Sequence, residues 1–155
     1  MSFKKRKILV TDIEKCVGCG ICELICSAEK EKAFNPKHGR IRVLRIQPII
    51  DTAVACRLCE NPACVTSCPY DALTQRENGV VDIDEEKCTG CGWCIEACEF
   101  GSITVHPEKK IVICDLCEGD PMCVKYCPKD ALELTTLDIV SEKARRSRAK
   151  ELFQT

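Results

Sequence analysis

Apolar residues along this chain come in short bursts rather than long runs. "RIRVLRIQPII" (40–50), "ALTQ" (72–75), "GVVDID" (79–84), "SITVH" (102–106) and "KIVIC" (110–114) are rich in β-branched residues and too short for helices. Between several of them lie turn signals: "NPKHG", "ENG" and "HPEKK". The pattern predicts short strands, several of them in hairpins, and its only long polar helical segment is "SEKARRSRAKELF" at 141–153. No run approaches the roughly 18 apolar residues that a membrane span requires.

Such bursts cannot build a conventional core, and the composition sharpens the point. Only 5% of the 155 residues are aromatic, whereas 16 are Cys, so something besides apolar burial has to hold the fold together. The start, "MSFKKRKILVTDIEKC", has basic residues but no apolar signal-peptide core, which gives the expectation of a cytoplasmic protein with reduced thiols. Clustered Cys then point to metal rather than to disulfides.

The cysteines divide into four quartets with none left over: Cys16, Cys19, Cys22, Cys26; Cys56, Cys59, Cys64, Cys68; Cys88, Cys91, Cys94, Cys98; and Cys114, Cys117, Cys123, Cys127. "CVGCGICELIC" and "CTGCGWCIEAC" repeat one spacing, and "CRLCENPACVTSCPYDAL" and "CDLCEGDPMCVKYCPKDAL" repeat another, so the chain reads A-B-A′-B′. Zinc prefers two separated C-x-x-C knuckles, and the third thiol of C-x-x-C-x-x-C stands where such a knuckle would turn away. Three thiolates at that spacing can wrap one cubane iron–sulfur cluster. The fourth lies one helical turn on and is free to reach a neighbouring cluster. Sixteen thiolates then hold four [4Fe–4S] clusters as metal ligands, with no iron left open for a substrate. No phosphate loop, nucleophile elbow or catalytic triad pattern accompanies them, so the chain is expected to carry electrons rather than to be an enzyme.

With these quartets in place, the stretch from 12 to 135 resembles the four-cluster polyferredoxin subunits of molybdenum and tungsten oxidoreductases, with relatives in formate dehydrogenase, dimethyl sulfoxide reductase and hydrogenase complexes. The resemblance implies an α+β fold of tandem bacterial-ferredoxin-like lobes in a single polyferredoxin domain, 1–155. Lobe one would be 1–50 with 104–140 and lobe two 51–103, followed by a basic tail or helix at 141–155. It also implies a pairing of quartets, first with fourth and second with third. One cluster would take Cys16, Cys19, Cys22 and Cys127, and another Cys114, Cys117, Cys123 and Cys26. A third would take Cys56, Cys59, Cys64 and Cys98, and the last Cys88, Cys91, Cys94 and Cys68. Sequential pairing, first with second and third with fourth, stays open on spacing alone. The partners implied are a catalytic oxidoreductase subunit with a tungsten- or molybdenum-pterin, with a lean towards the tungsten aldehyde oxidoreductase type, and a second redox protein such as a flavoprotein or ferredoxin. A homo-oligomer is compatible with this reading; the alternatives are a free, diffusing polyferredoxin that serves several enzymes, a formate dehydrogenase or hydrogenase partner, and a cluster storage or assembly protein.

Charge adds one feature. The net charge is −1, yet residues 141–155 carry five basic and two acidic groups. Without stacking aromatics or a groove-reading motif, that tail argues for a protein partner or a solvated surface and against nucleic acid. His38 and His106 fall in turn signals and are expected at the surface, while Trp93 is expected to shield a cluster from water.

Overall fold

The computed structural model describes residues 6–46, 50–108 and 110–153. Four antiparallel strand pairs and a set of mostly short helices make up an α+β fold. β1 (Lys7–Thr11) pairs with β8 (Leu132–Thr136), which brings the two ends of the chain together; β2 (Arg42–Ile46) pairs with β3 (Ile50–Val54), β4 (Leu73–Gln75) with β5 (Val81–Ile83), and β6 (Thr104–Val105) with β7 (Ile111–Val112). The helices are α1 (Ile21–Glu31), α2 (Ala63–Thr66), α3 (Trp93–Glu96), α4 (Met122–Lys125) and α5 (Leu137–Phe153), with 3₁₀ turns at Pro36–His38 and Leu116–Gly119.

Helix length follows local chemistry. α2 and α4 each start after a proline in extended conformation, Pro62 and Pro121, and run for a single turn into a Cys-Pro pair. α1 is longer and continues past Cys26, whereas α3 of quartet three, which also lacks that proline, stops after one turn. α1 ends only where Lys32 turns left-handed and its N–H caps the Ala28 carbonyl. The segment after it folds back through Ser27, fully buried, whose Oγ donates to Leu24 O and accepts from Asn35 N. Asn35 in turn caps the 3₁₀ turn by accepting from Lys37 N.

α1 packs on α4, and α2 on α3. The segment "RIRVLRIQPII" is not one strand: Ile46 faces Ile50, so the chain reverses between them, and Gln47, Pro48 and Ile49 lie outside the described residues. That hairpin crosses the 50/51 division expected between lobes. Thr11 Oγ1 donates to Ala53 O at 2.6 Å and so ties the hairpin to β1.

The buried apolar side chains are aliphatic or Cys, led by Leu58, Ile41 and Ile8 at 0%, 1% and 2% exposure. Phe34, Tyr70, Trp93, Phe100, Tyr126 and Phe153 are all exposed, so the described interior contains no Phe, Tyr or Trp. Thiols fill much of what aromatic rings would fill elsewhere. Ile41→Ala should therefore destabilise the cluster-loaded protein by about 2–4 kcal/mol, whereas Phe34→Ala should stay within about 0.5 kcal/mol. Thermal unfolding under anaerobic conditions, followed by circular dichroism, checks the contrast.

Candidate iron–sulfur centres

Each C-x-x-C loop has a left-handed residue at the same place, just before its second Cys. Gly18 (φ 62°) and Gly90 (φ 74°) serve in quartets one and three, but Leu58 (φ 50°) and Leu116 (φ 59°) serve in quartets two and four. Left-handed leucine is strained, and here burial of the side chain in the core offsets the strain. Glycine is required at 18 for a further reason: a Cβ there would lie 2.7 Å from the Asp51 carboxylate. Arg45 Nη2 donates to Gly18 O at 2.6 Å, so the β2–β3 hairpin clamps the first loop from outside.

The loops converge in pairs. One cavity is lined by Cys16, Cys19, Cys22 and Cys127, with Val43, Ala53 and Leu132 closing it. A second is lined by Cys68, Cys88, Cys91 and Cys94, with Tyr70 and Trp93 at its wall. The remaining eight thiols form two further groups. Burial pushes Cys123 far above the ordinary thiol range, and the neighbouring Cys114, Cys26, Cys117 and Cys22 push it further. Cys64 is raised to about 11 by burial and then by Cys56, Cys98 and Cys59. Thus Cys26 lies among the thiols of quartet four, and Cys98 among those of quartet two.

Electrostatic influence between groups gives them an order. Cys22 is among the charges that Cys123 senses, Cys56 is among those that raise Cys114, and Cys64 is among those that raise Cys94 to about 11. The sequence of groups is therefore Cys16/19/22/127, Cys26/114/117/123, Cys56/59/64/98, Cys68/88/91/94. Of the sixteen thiols, only Cys19 and Cys91 are exposed, one in each outer group.

The fourth Cys of each quartet accepts a hydrogen bond or shares one with a hydroxyl. Ala72 N donates to Cys68 Sγ at 3.4 Å and Ala131 N to Cys127 Sγ at 3.3 Å, while Ser102 Oγ lies 3.3 Å from Cys98 Sγ. Left-handed Asp71, Asp130 and Gly101 each precede the donor and aim it. In quartet one the donor is Arg40 N, 3.2 Å from Cys26 Sγ, because α1 and the 3₁₀ turn intervene. For Cys98, burial works to raise the thiol, but Ser102 and the N–H groups of Phe100 and Gly101 hold it below its ordinary value. Such bonds favour thiolate and tune whatever the sulfur binds.

Asp115 was not among the residues singled out from sequence. Its carboxylate accepts from Lys30 Nζ at 2.8 Å, Arg40 Nη1 at 2.9 Å and Cys117 N at 3.0 Å, joining α1 to the fourth quartet. Burial opposes its ionisation, yet those donors hold it below the usual carboxylate range. Its sequence signal was only its place inside "CDLC". His106 corrects the expectation of a surface turn. It is 2% exposed, its ring centroid lies 4.5 Å from that of His38, and its Nδ1 accepts from Glu108 N. Trp93 is 61% exposed and covers one wall of its cavity rather than sealing it.

These sites fit a polynuclear group better than an ion. Four thiols surround each outer cavity, yet among the described residues no three His, Cys, Asp or Glu converge as a single metal ion would require. A tetrahedral zinc site needs sulfurs all about 2.3 Å from one point, whereas a cubane presents its irons at separate corners. Burial among like-charged neighbours also disfavours bare thiolates, with Cys22 raised to about 12, so a cationic metal group is needed to keep them ionised.

Known proteins share the pattern. The 4Fe-4S dicluster domain matches residues 49–137, and a 4Fe-4S binding domain matches residues 13–29. The polyferredoxin-like subunit of aliphatic sulfonate oxidoreductase from Pyrococcus furiosus is 43% identical over 135 residues, covering 83% of this chain and 77% of that subunit. The putative electron transport protein YsaA of Escherichia coli is 35% identical, covering 94% and 97%. The thiosulfate reductase electron transfer subunit PhsB of Salmonella typhi is 30% identical, covering 95% and 84%. These relatives carry names of electron-transfer proteins and subunits, not of catalytic ones. Four thiol-lined loops, their shared backbone geometry and these matches make the chain a member of the 4Fe-4S dicluster family of electron-transfer proteins.

Proposed function

We propose that this chain is the electron-transfer subunit of an oxidoreductase complex, relaying single electrons through four [4Fe–4S] clusters in two ferredoxin-like lobes. Cys16, Cys19, Cys22 and Cys127 would hold one terminal cluster, and Cys68, Cys88, Cys91 and Cys94 the other. Cys26, Cys114, Cys117 and Cys123, then Cys56, Cys59, Cys64 and Cys98, would hold the inner two. The observation that carries this reading is the serial order of the four thiol groups, with an exposed thiol only at each end. A bound cluster supplies reversible one-electron chemistry. The chain's own residues bury it, donate hydrogen bonds to its sulfur ligands and leave one edge accessible at Cys19 and at Cys91.

A resident subunit is favoured over a free carrier by the Cys91 end, where Trp93 and Tyr70 are 61% and 50% exposed beside the cavity. Exposed aromatics around an electron port suit a lasting protein interface. The catalytic partner we favour is of the tungsten aldehyde oxidoreductase type. Support comes from the family resemblance and from similarity to a polyferredoxin-like subunit of a sulfonate oxidoreductase. A flavoprotein or ferredoxin would exchange electrons at the other end. Co-purification of the native complex, with tungsten and molybdenum measured in the partner, tests that assignment; a metal-free partner would overturn it.

Anaerobically isolated protein should contain about 16 iron and 16 labile sulfide per chain. Chelating the iron should abolish the secondary structure in one transition, read by far-ultraviolet circular dichroism. Iron near eight, or an iron-free chain that keeps its native spectrum, would contradict the reading.

The pairing is tested by cysteine substitution. Cys127→Ser should alter the same electron paramagnetic resonance signal as Cys19→Ser, and Cys94→Ser a different one. If Cys127→Ser and Cys94→Ser altered one shared signal, the quartets would be paired sequentially.

A further inference from the structure

Helix α5 is the longest element, yet it adds little to the core. Leu137 and Val140 pack inward, and Lys143 pairs with Glu133 of β8, but every residue from Ser141 to Phe153 is exposed. A helix that is polar on all sides needs a reason to exist other than burial.

Its path supplies one. α5 folds back along β8 so that Val140, Lys143, Ala144 and Ser147 share a groove with the loop Asp12–Lys15 and with Asp130. The first loop leads directly into Cys16, and Asp130 lies three residues after Cys127. The groove ends at Ser147, so Arg148–Phe153 extends about 9 Å farther along the helix axis. The middle of α5 therefore lies beside the loop and the Cys127–Asp130 segment that supply the terminal thiol group containing exposed Cys19.

Charge identifies the occupant. α5 has five basic and three acidic residues; removing its +2 from the chain's −1 leaves −3 on the remainder. Arg146 and Arg148 pair within the helix with Glu142 and Glu151, whereas Arg145 and Lys150 have no acidic partner among the described residues. Clusters on four thiolates make the body more negative still, leaving α5 a basic arm on an acidic molecule. Such an arm would steer an acidic partner to this end, while the body repels it elsewhere.

We propose that α5 is the docking arm for a small acidic electron-carrier protein of ferredoxin type, guiding it onto the Cys16/Cys19/Cys22/Cys127 end. This inference rests on the relay reading above and names the partner class at one end of it.

The test uses the full, cluster-loaded chain and an acidic two-cluster ferredoxin as probe. Binding is measured by calorimetry at about 20 mM and about 200 mM salt, on either side of effective screening. Wild-type affinity should fall on the order of tenfold with salt, and the triple variant R145E/R148E/K150E should bind on the order of tenfold or more weakly at low salt. R145Q/R148Q/K150Q should lie between them, and all three proteins should retain equal iron. Equal affinity of wild type and the Glu variant, or no wild-type binding at full iron content, would overturn the proposal. So would wild-type self-association that the Glu variant abolishes, which would give the arm to a second copy of this chain. Wild type lacking its full iron would instead refute the relay reading.

Discussion

Sixteen thiols packed four to a site, all but Cys19 and Cys91 buried or partly buried, form an interior that disfavours bare thiolates. Burial and mutual charge push Cys22, Cys64, Cys94 and Cys114 to about 11 or 12, so the metal-free sites strongly favour protonated sulfur. A cationic group that binds all four sulfurs of a site reverses this balance, and proton release accompanies its binding. The rest of the structure follows from that constraint. With small aliphatics inside and its described aromatics outside, the fold has little apolar burial of its own to rely on. Its hairpins and single-turn helices are scaffolding around the thiol groups.

The same constraint explains why unlike sequences take the same loop shape. All four C-x-x-C segments need a left-handed residue before the second Cys, and two achieve it with Gly while two force Leu into it. Leu58 and Leu116 hold their strained backbone because their side chains fill the interior beside the loops. Gly18 instead lies beneath Asp51 and Arg45, where any side chain would collide. Order matters as much as the groups themselves: an electron relay needs neighbours in series, and the electrostatic influence of Cys22 on Cys123, Cys56 on Cys114 and Cys64 on Cys94 fits such a series.

Much of this was legible in the residues. Spacing revealed the four quartets and their A-B-A′-B′ repeat because metal-ligand geometry is local and is written as fixed intervals. The glycines of quartets one and three announced tight turns; Leu58 and Leu116 hid theirs, since nothing in a leucine signals a left-handed backbone. The reversal inside "RIRVLRIQPII" was obscured by a continuous apolar run. His106 looked like a turn residue, and it is one, but the long-range packing of His38 against it has no signature in local sequence. Which neighbour each fourth Cys meets also depends on the meeting of β1 with β8 and of α1 with α4, contacts between the two ends of the chain.

The most direct test of the central claim is anomalous diffraction at the iron edge from anaerobic crystals. The account predicts four compact iron sites in a row, each of four irons, with Cys127 beside Cys16, Cys19 and Cys22 at one end and Cys68 beside Cys88, Cys91 and Cys94 at the other. Isolated single-metal peaks, or Cys127 sharing a cluster with Cys94, would contradict it.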